Sequence, residues 1–147
     1  MAAIRHATLG DLDLLVPLFD AYRQFYRKQS DPEAARQFLR DRIALNESVI
    51  FLAIQNANAI GFAQLYPLFS SAAMARTFIL NDLFVTPEYR HTGIGSALLK
   101  AAADHARATG AIRLTLSTEL GNATAQALYE KSGWLRDNVF CVYHLAL

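Results

Sequence analysis

The sequence predicts one α/β domain over residues 1–147, and three observations carry that prediction. Short β-prone apolar runs alternate with stretches of helical periodicity in the order β-α-α-β-β-β-α-β-α-β, with room for a short extra strand near Trp134. One of the strands, Arg76 to Val85, runs through Pro87 into Arg90-x-x-Gly93-x-Gly95 and then directly into a helix. The length of 147 residues suits one domain that buries roughly 70% of its unfolded surface. No internal repeat, linker or second domain is visible.

Ala3 to His6 is a short first strand. Thr8 can cap the following helix, with Asp11 three positions on and Asp13 adding charge that complements the dipole. Leu12, Leu15, Phe19, Tyr22 and Tyr26 step by three and four and so form one apolar stripe. Pro17 falls inside the stripe, where a missing N–H predicts a kink or a split. Ser30-Asp31-Pro32-Glu33 starts a second helix, through a Ser30–Glu33 capping box or through Asp31 with Pro32 in the first turn. That helix runs to about Asn46.

Val49 to Ile54 is unbroken apolar sequence, as expected of a strand covered on both faces. Asn56 to Ala59 is a hairpin turn, Ile60 to Tyr66 the returning strand, and Ser70 to Ala73 a loop before the next strand. Ile94, Leu98, Ala101 and His105 set the helix after the glycines, and Gly110 stops it. Ile112, Leu114 and Leu116 alternate with polar residues in a strand. A shorter helix runs from about Asn122 to Ser132 before Gly133. Val139, Cys141, Tyr143 and Leu145 alternate in a final strand, with Cys141 as a small buried hydrophobe.

Composition excludes several classes. Hydrophobic residues make up 53% and charged residues 18%, a folded rather than a disordered balance. The formal net charge is +1, and no basic run exceeds Arg27-Lys28, which argues against nucleic acid as a partner. A single cysteine excludes an internal disulfide framework and a cysteine-rich zinc site. His6, His91 and His144 show no metal-ligand spacing, so no metal is expected. No apolar run is long enough for a membrane span and no secretory pattern opens the chain, so the expected location is cytoplasmic.

The stretch from Leu80 to Leu99 carries the chemistry. Glycines let the backbone take positive φ and let a ligand come close, while the first-turn N–H groups and the helix dipole favour an anion. Arg90 adds a cation able to grip phosphate oxygens in a fork. A nucleotide-hydrolase loop would need Gly-x-x-x-x-Gly-Lys-Ser/Thr, which is missing. A dinucleotide fingerprint would need a small residue at Leu98 and an acid near Arg113.

Val85-Thr86-Pro87-Glu88-Tyr89-Arg90-His91-Thr92-Gly93-Ile94-Gly95 closely resembles the signature of the GNAT superfamily of acyl-CoA N-acyltransferases. Asn122 to Trp134 resembles the second signature, an asparagine followed by Leu-Tyr-Glu-Lys-x-Gly-Trp. Leu80 to Arg90 is similar to the polyamine-type members. The resemblance implies the GNAT fold: a mixed, mostly antiparallel twisted sheet of six or seven strands flanked by about four helices. It implies acetyl-CoA as co-substrate and transfer of the acetyl group to a primary amine in a ternary complex. The acceptor would be a small amine, a polyamine, or a lysine or terminal amine of a peptide. A homodimer is frequent in the family.

Carried over residue by residue, the backbone of Leu83, Phe84 and Val85 would contact the pantetheine arm. Arg90, His91, Thr92, Gly93, Ile94, Gly95 and Ser96 would take the phosphates. Asn122 would hydrogen-bond the arm, and Tyr129, two turns along the same helix, would reach the thiol.

The chemistry asks for two proton transfers. An amine of pKa near 10.4 is about three units from neutral at pH 7, so a base is needed, and a thiolate of pKa near 8.5 benefits from an acid. Tyr129 is the candidate acid, and a backbone N–H near Val85 the implied donor to the carbonyl oxygen. Asp82 is the candidate base or amine anchor. Asn81 stands where the polyamine enzymes carry a second acid, and on a regular strand it points away from Asp82. Tyr26, Gln64, Tyr66, Asn81 and Asp82 are candidate acceptor-site residues, although Tyr22 and Tyr26 also belong to the core stripe. The alternative is a catalytically silent acyl-CoA-binding module, suggested by Asn81.

Overall fold

The computed structural model describes all 147 residues, in two compact units, residues 1–117 and 118–147. The first unit is a five-stranded sheet in the order β1-β2-β3-β4-β5. It contains β1 (Ala3–His6), α1 (Leu12–Phe25), α2 (Pro32–Ala44), β2 (Val49–Gln55), β3 (Asn58–Ser70), β4 (Ala75–Val85), α3 (Ile94–Ala108) and β5 (Leu114–Thr115). Strands β1 to β4 pair antiparallel and β5 joins β4 in parallel. No helix is long and apolar enough to cross a membrane.

Helices cover both faces of the sheet. Leu12, Leu15, Val16 and Phe19 of α1 bury with Leu39 of α2 against Ile50, Leu52, Phe62 and Phe84. On the other face Leu98 of α3 approaches Gly61, and His105 packs edge-on against Phe51 and Phe78. Gly61 is required by this closeness, since a Cβ there would lie 2.8 Å from the Phe84 carbonyl oxygen. Pro17 neither splits nor ends α1, which is continuous from Leu12 to Phe25. Four of its buried side chains, Leu15, Val16, Leu18 and Phe19, flank the proline, and their burial outweighs one missing backbone bond.

Polar contacts fix the helix starts. Asp11 accepts the Thr8 N–H at 2.8 Å and a two-pronged contact from Arg5 at 2.7 and 2.9 Å, tying β1 to the turn before α1. Asp31 caps α2 by accepting the Ala34 N–H at 3.1 Å, with Pro32 in the first turn. Ser30 is not part of a capping box. Its hydroxyl donates to the buried Asp20 at 2.6 Å, and Asp20 also accepts the Asp31 N–H, so α1 holds the entry to α2.

The second unit holds α4 (Ala123–Lys131), closed by Gly133 at φ 91°. The final strand expected over 139–145 is not formed, nor is the extra one near Trp134, so the sheet has five strands and not six or seven. Asp137 supplies the local reason. Its carboxylate accepts the N–H groups of Val139 and Phe140 at 2.8 and 3.1 Å, a side-chain turn that takes the backbone out of the extended form. Without a ladder partner, alternation alone does not make a strand. Val139, Phe140, Val142, Tyr143 and Leu145 are exposed, and so is Cys141, contrary to its expected burial.

The Arg5 clasp should be measurable. It holds the Asp11 carboxyl down at about 2, so its stability is present above the ordinary carboxylate pKa and is lost as pH falls toward 2. Arg5→Ala should cost about 1 kcal/mol at pH 7, a modest figure because the guanidinium is half exposed. The gap from the parent protein should narrow as urea denaturation is repeated from pH 5 downward; a gap independent of pH would assign the loss to packing.

Candidate active site

β3 and β4 pair regularly from Gly61–Val85 to Gln64–Asp82, and then Leu65 pairs with Leu80. Asn81 is therefore an extra residue on β4, a β-bulge. The bulge overturns the expectation that Asn81 and Asp82 point apart. Asn81 Nδ2 donates to Asp82 Oδ1 at 2.7 Å, while Gln64, directly across the ladder, donates through Nε2 to Oδ2 at 2.5 Å.

Asp82 is 2% exposed and Gln64 fully buried, on the sheet face that carries Phe62 and Phe84. The Tyr22 hydroxyl of α1 donates to the Asn81 backbone carbonyl at 3.3 Å and lies beside the Asp82 carboxylate. Tyr22 stacks edge-on with Tyr26, Phe62 and Phe84, so this position of the core stripe both packs and carries a polar tip into the cluster.

Burial raises the pKa of Asp82; hydrogen bonds from Asn81, Gln64 and Tyr22 oppose that shift. No lysine or arginine is among its partners. Tyr22 and Tyr66 are pushed up, first by burial and then by the Asp82 charge, so both remain neutral hydroxyls. Asp82, Asn81, Gln64, Tyr22 and Tyr66 thus form one polar island in an aromatic wall. Sequence reading named four of them as site residues; the fifth, Tyr22, was masked by its place in a core stripe.

Strand β5 pairs with β4 only at Phe78 and Ile79. From Leu80 to Val85 that edge of β4 carries no strand. The Val85 carbonyl is turned off the β3 ladder and accepts Arg90 Nε at 2.8 Å. Leu83, two residues back, shares that side. An extended amide chain can pair along this open edge, which the short Leu114–Thr115 strand creates.

The loop after β4 turns through Pro87–Tyr89, takes positive φ at His91 (62°) and at Gly93 (89°), and enters α3 at Ile94. Gly93 is the cap and brings no side-chain acceptor, so first-turn N–H groups face the loop. A Cβ at Gly93 would meet nothing within 4 Å, so the space beside the cap is open. The Thr92 hydroxyl donates to the Tyr89 carbonyl and braces the turn. Arg90, expected to grip phosphate, has structural partners: besides its Val85 bond, its guanidinium lies 5.4 Å from the Phe84 ring centre and 5.7 Å from that of Phe25.

Within the second unit, Asn122 Oδ1 accepts the Ala125 N–H at 3.2 Å, so its side chain caps α4. Tyr129 is half-buried, its ring 6.0 Å from Trp134, and its carbonyl accepts the Trp134 N–H. Asn122 is thus at the start of α4 and Tyr129 in its last turn.

The loop presents free N–H donors and β4 an unpaired strand edge next to each other. The profile of the Acetyltransferase (GNAT) family matches residues 15–134. The chain is 49% identical to the uncharacterised N-acetyltransferase YhfO of Bacillus subtilis (strain 168), over 97% of this chain and 95% of that one. It is 40% identical to a probable acetyltransferase of Haemophilus influenzae over 71% of this chain and 72% of the other. A crystal structure of a probable acetyltransferase superposes with a TM-score of 0.94 at 44% identity, covering 99% of this chain and 97% of that one. The chain belongs to the acetyltransferase (GNAT) family, and it is an enzyme that draws its acyl group from acetyl-CoA.

Proposed function

We propose that the enzyme acetylates a primary amine directly, in a ternary complex, with Asp82 as the base. The single observation that carries this reading is a carboxylate 2% exposed, without a cationic partner, on a strand whose open edge leads straight into the phosphate cradle. When bound, acetyl-CoA supplies an activated thioester. The chain's own residues do the rest.

The N–H groups at the start of α3, with His91 to Ser96 around them, hold the phosphates by charge and dipole. Arg90 fixes the Val85 carbonyl and so sets the direction of the loop. The backbone beside Leu83 and Val85 takes the arm. Asp82 receives the proton that leaves the amine nitrogen. The freed lone pair makes the C–N bond as the C–S bond breaks, Tyr129 gives its proton to the sulfur, and the second proton shed by the nitrogen passes through solvent to restore the Tyr129 hydroxyl, so amide and free thiol leave. That role for Tyr129, like an arm contact for Asn122, follows from the resemblance of the α4 motif. Burial makes Asp82 a better base, because an ordinary carboxylate is a weak one toward an ammonium and a raised pKa narrows the gap.

The direct test is release of free thiol from acetyl-CoA with a panel of aliphatic amines, polyamines, aminoglycosides and peptide amines. Turnover with at least one class is expected; a panel that gives only background thiol overturns the reading.

Three variants check the roles. Asp82→Asn should lower turnover about 10²-fold at neutral pH, recovering as pH rises and the amine loses its own proton. Its linkage runs the other way from that of Asp11. A raised carboxyl pKa costs stability above that pKa, so the melting temperature of Asp82→Asn at pH 7 should not fall. A uniform loss of rate at every pH would leave Asp82 a packing role.

Gly93→Ala meets no steric neighbour, so its cost comes from φ 89°, roughly 1 kcal/mol in stability. Calorimetry should show weaker coenzyme A binding, as a methyl enters the space beside the cap. Tyr129→Phe should keep acetyl-CoA affinity while turnover per folded molecule falls about 10²–10⁴-fold. Full activity in a stable Phe variant would remove Tyr129 from the mechanism.

A further inference from the structure

The polar island around Asp82 is unbalanced in a definite direction. Gln64 is fully buried and commits its Nε2 to Asp82, yet its Oε1 is buried with no hydrogen-bond partner. With Nε2 turned to the carboxylate, Oε1 is the end of the amide left without a partner. Asp82 takes one N–H on each oxygen and has further acceptor sites on both. The Tyr22 hydroxyl donates to the Asn81 carbonyl at 3.3 Å and lies within hydrogen-bond reach of the Asp82 carboxylate, so it does not reach Gln64 Oε1. Such a cluster has acceptors left over, one of them an amide oxygen stranded out of water, and no cation to balance its carboxylate. Tyr22 packs edge-on against Phe62 and Phe84 beside it, and Tyr66 lies close enough to feel the Asp82 charge.

We propose that Gln64 determines acceptor specificity: its stranded carbonyl oxygen and the Asp82 carboxylate form an acceptor-only niche that selects a primary aliphatic ammonium. This rests on the reading of the Asp82 face as the amine site. A primary ammonium carries three donors and no acceptor, which matches what the niche lacks. A secondary ammonium loses one donor and a quaternary one loses all. A carboxylate on the carbon next to the amine would bring acceptors to a site that already has too many. The niche therefore favours alkylamines and polyamine ends over α-amino acids.

The test needs no acyl donor. Melting temperature is followed for the full chain with n-butylammonium, N-methylbutylammonium, butyltrimethylammonium or butyrate, each against sodium chloride at equal ionic strength. For the parent protein, n-butylammonium should raise the melting temperature in a saturable way. N-Methylbutylammonium should need about tenfold more for the same shift, the value of one hydrogen bond. The quaternary ion and butyrate should give none.

In Gln64→Met, read against its own unliganded melting temperature, the primary amine should weaken about tenfold and lose its lead over the N-methyl compound. Gln64→Glu puts a carboxyl where the amide was, sharing one proton with Asp82 across the 2.5 Å contact and keeping an acceptor oxygen for the ligand, so it should bind n-butylammonium at least as tightly as the parent; it decides the matter alone if the Met variant does not fold. Equal binding of the primary and quaternary ions, an unchanged ranking in Gln64→Met, weaker binding in Gln64→Glu, or no shift by n-butylammonium would each overturn the assignment. Background thiol release with every amine, together with a saturable butylammonium shift, would remove the proposed transfer to amines and leave the niche standing.

Discussion

The bulge at Asn81 costs β4 one pair of its ladder and gives it a polar corner in return. Without the extra residue, Asn81 and Asp82 would face opposite sides of the sheet, and the carboxylate would lose one of its two amide donors. With it, two amides from two strands hold both carboxylate oxygens. A buried charge without a counter-ion is tolerable only when hydrogen bonds replace the water it has lost. The site is built on that constraint: β3 must offer Gln64 in register, and Gly61 must let β3 come close to β4 to keep the register. α1 must bring Tyr22 against the same corner.

The two ends of β4 divide the labour. At Phe78 and Ile79 the strand is covered by β5 and belongs to the sheet. Past the bulge its outer edge is free, and its last carbonyl is anchored by Arg90. The strand thus changes from paired to unpaired on its outer edge within a few residues, and the loop that follows is aimed by a side chain and not by its backbone alone.

Much of this was legible in the sequence. The stripe from Leu12 to Phe19 and the apolar run of β2 placed the core, because burial leaves a pattern that can be read. The Gly93 turn was legible for a different reason: few residues accept a φ of 89°, so the requirement leaves a mark. The bulge left no comparable mark, since Asn81 and Asp82 look alike in an alternating and in an interrupted strand. Arg90 was read through its charge, while its bond to Val85 depends on a loop path that composition does not encode. The tail shows the converse error: Val139, Cys141, Tyr143 and Leu145 alternate correctly, but the turn made by Asp137 outranks a pattern with nothing to pair against.

Strand order in space repeats strand order in the chain. Residues 49–85 are one uninterrupted meander, whose partners are found by closing short loops at Asn56-Ala57 and Ser71-Met74. β1 and β5 are attached at greater entropic cost, β1 across two helices and β5 across α3, and β5 offsets that cost with only two paired residues. The topology therefore makes the meander the most accessible nucleus of folding and the β4–β5 junction a late and weakly held addition. Native-state opening should follow the same gradient, with amide protons of β2 and β3 exchanging through the deepest unfolding and those of β5 through shallow, local separation. The chain thus keeps the buried Asp82 carboxylate on the most persistent part of the fold and lets the β4–β5 seam breathe.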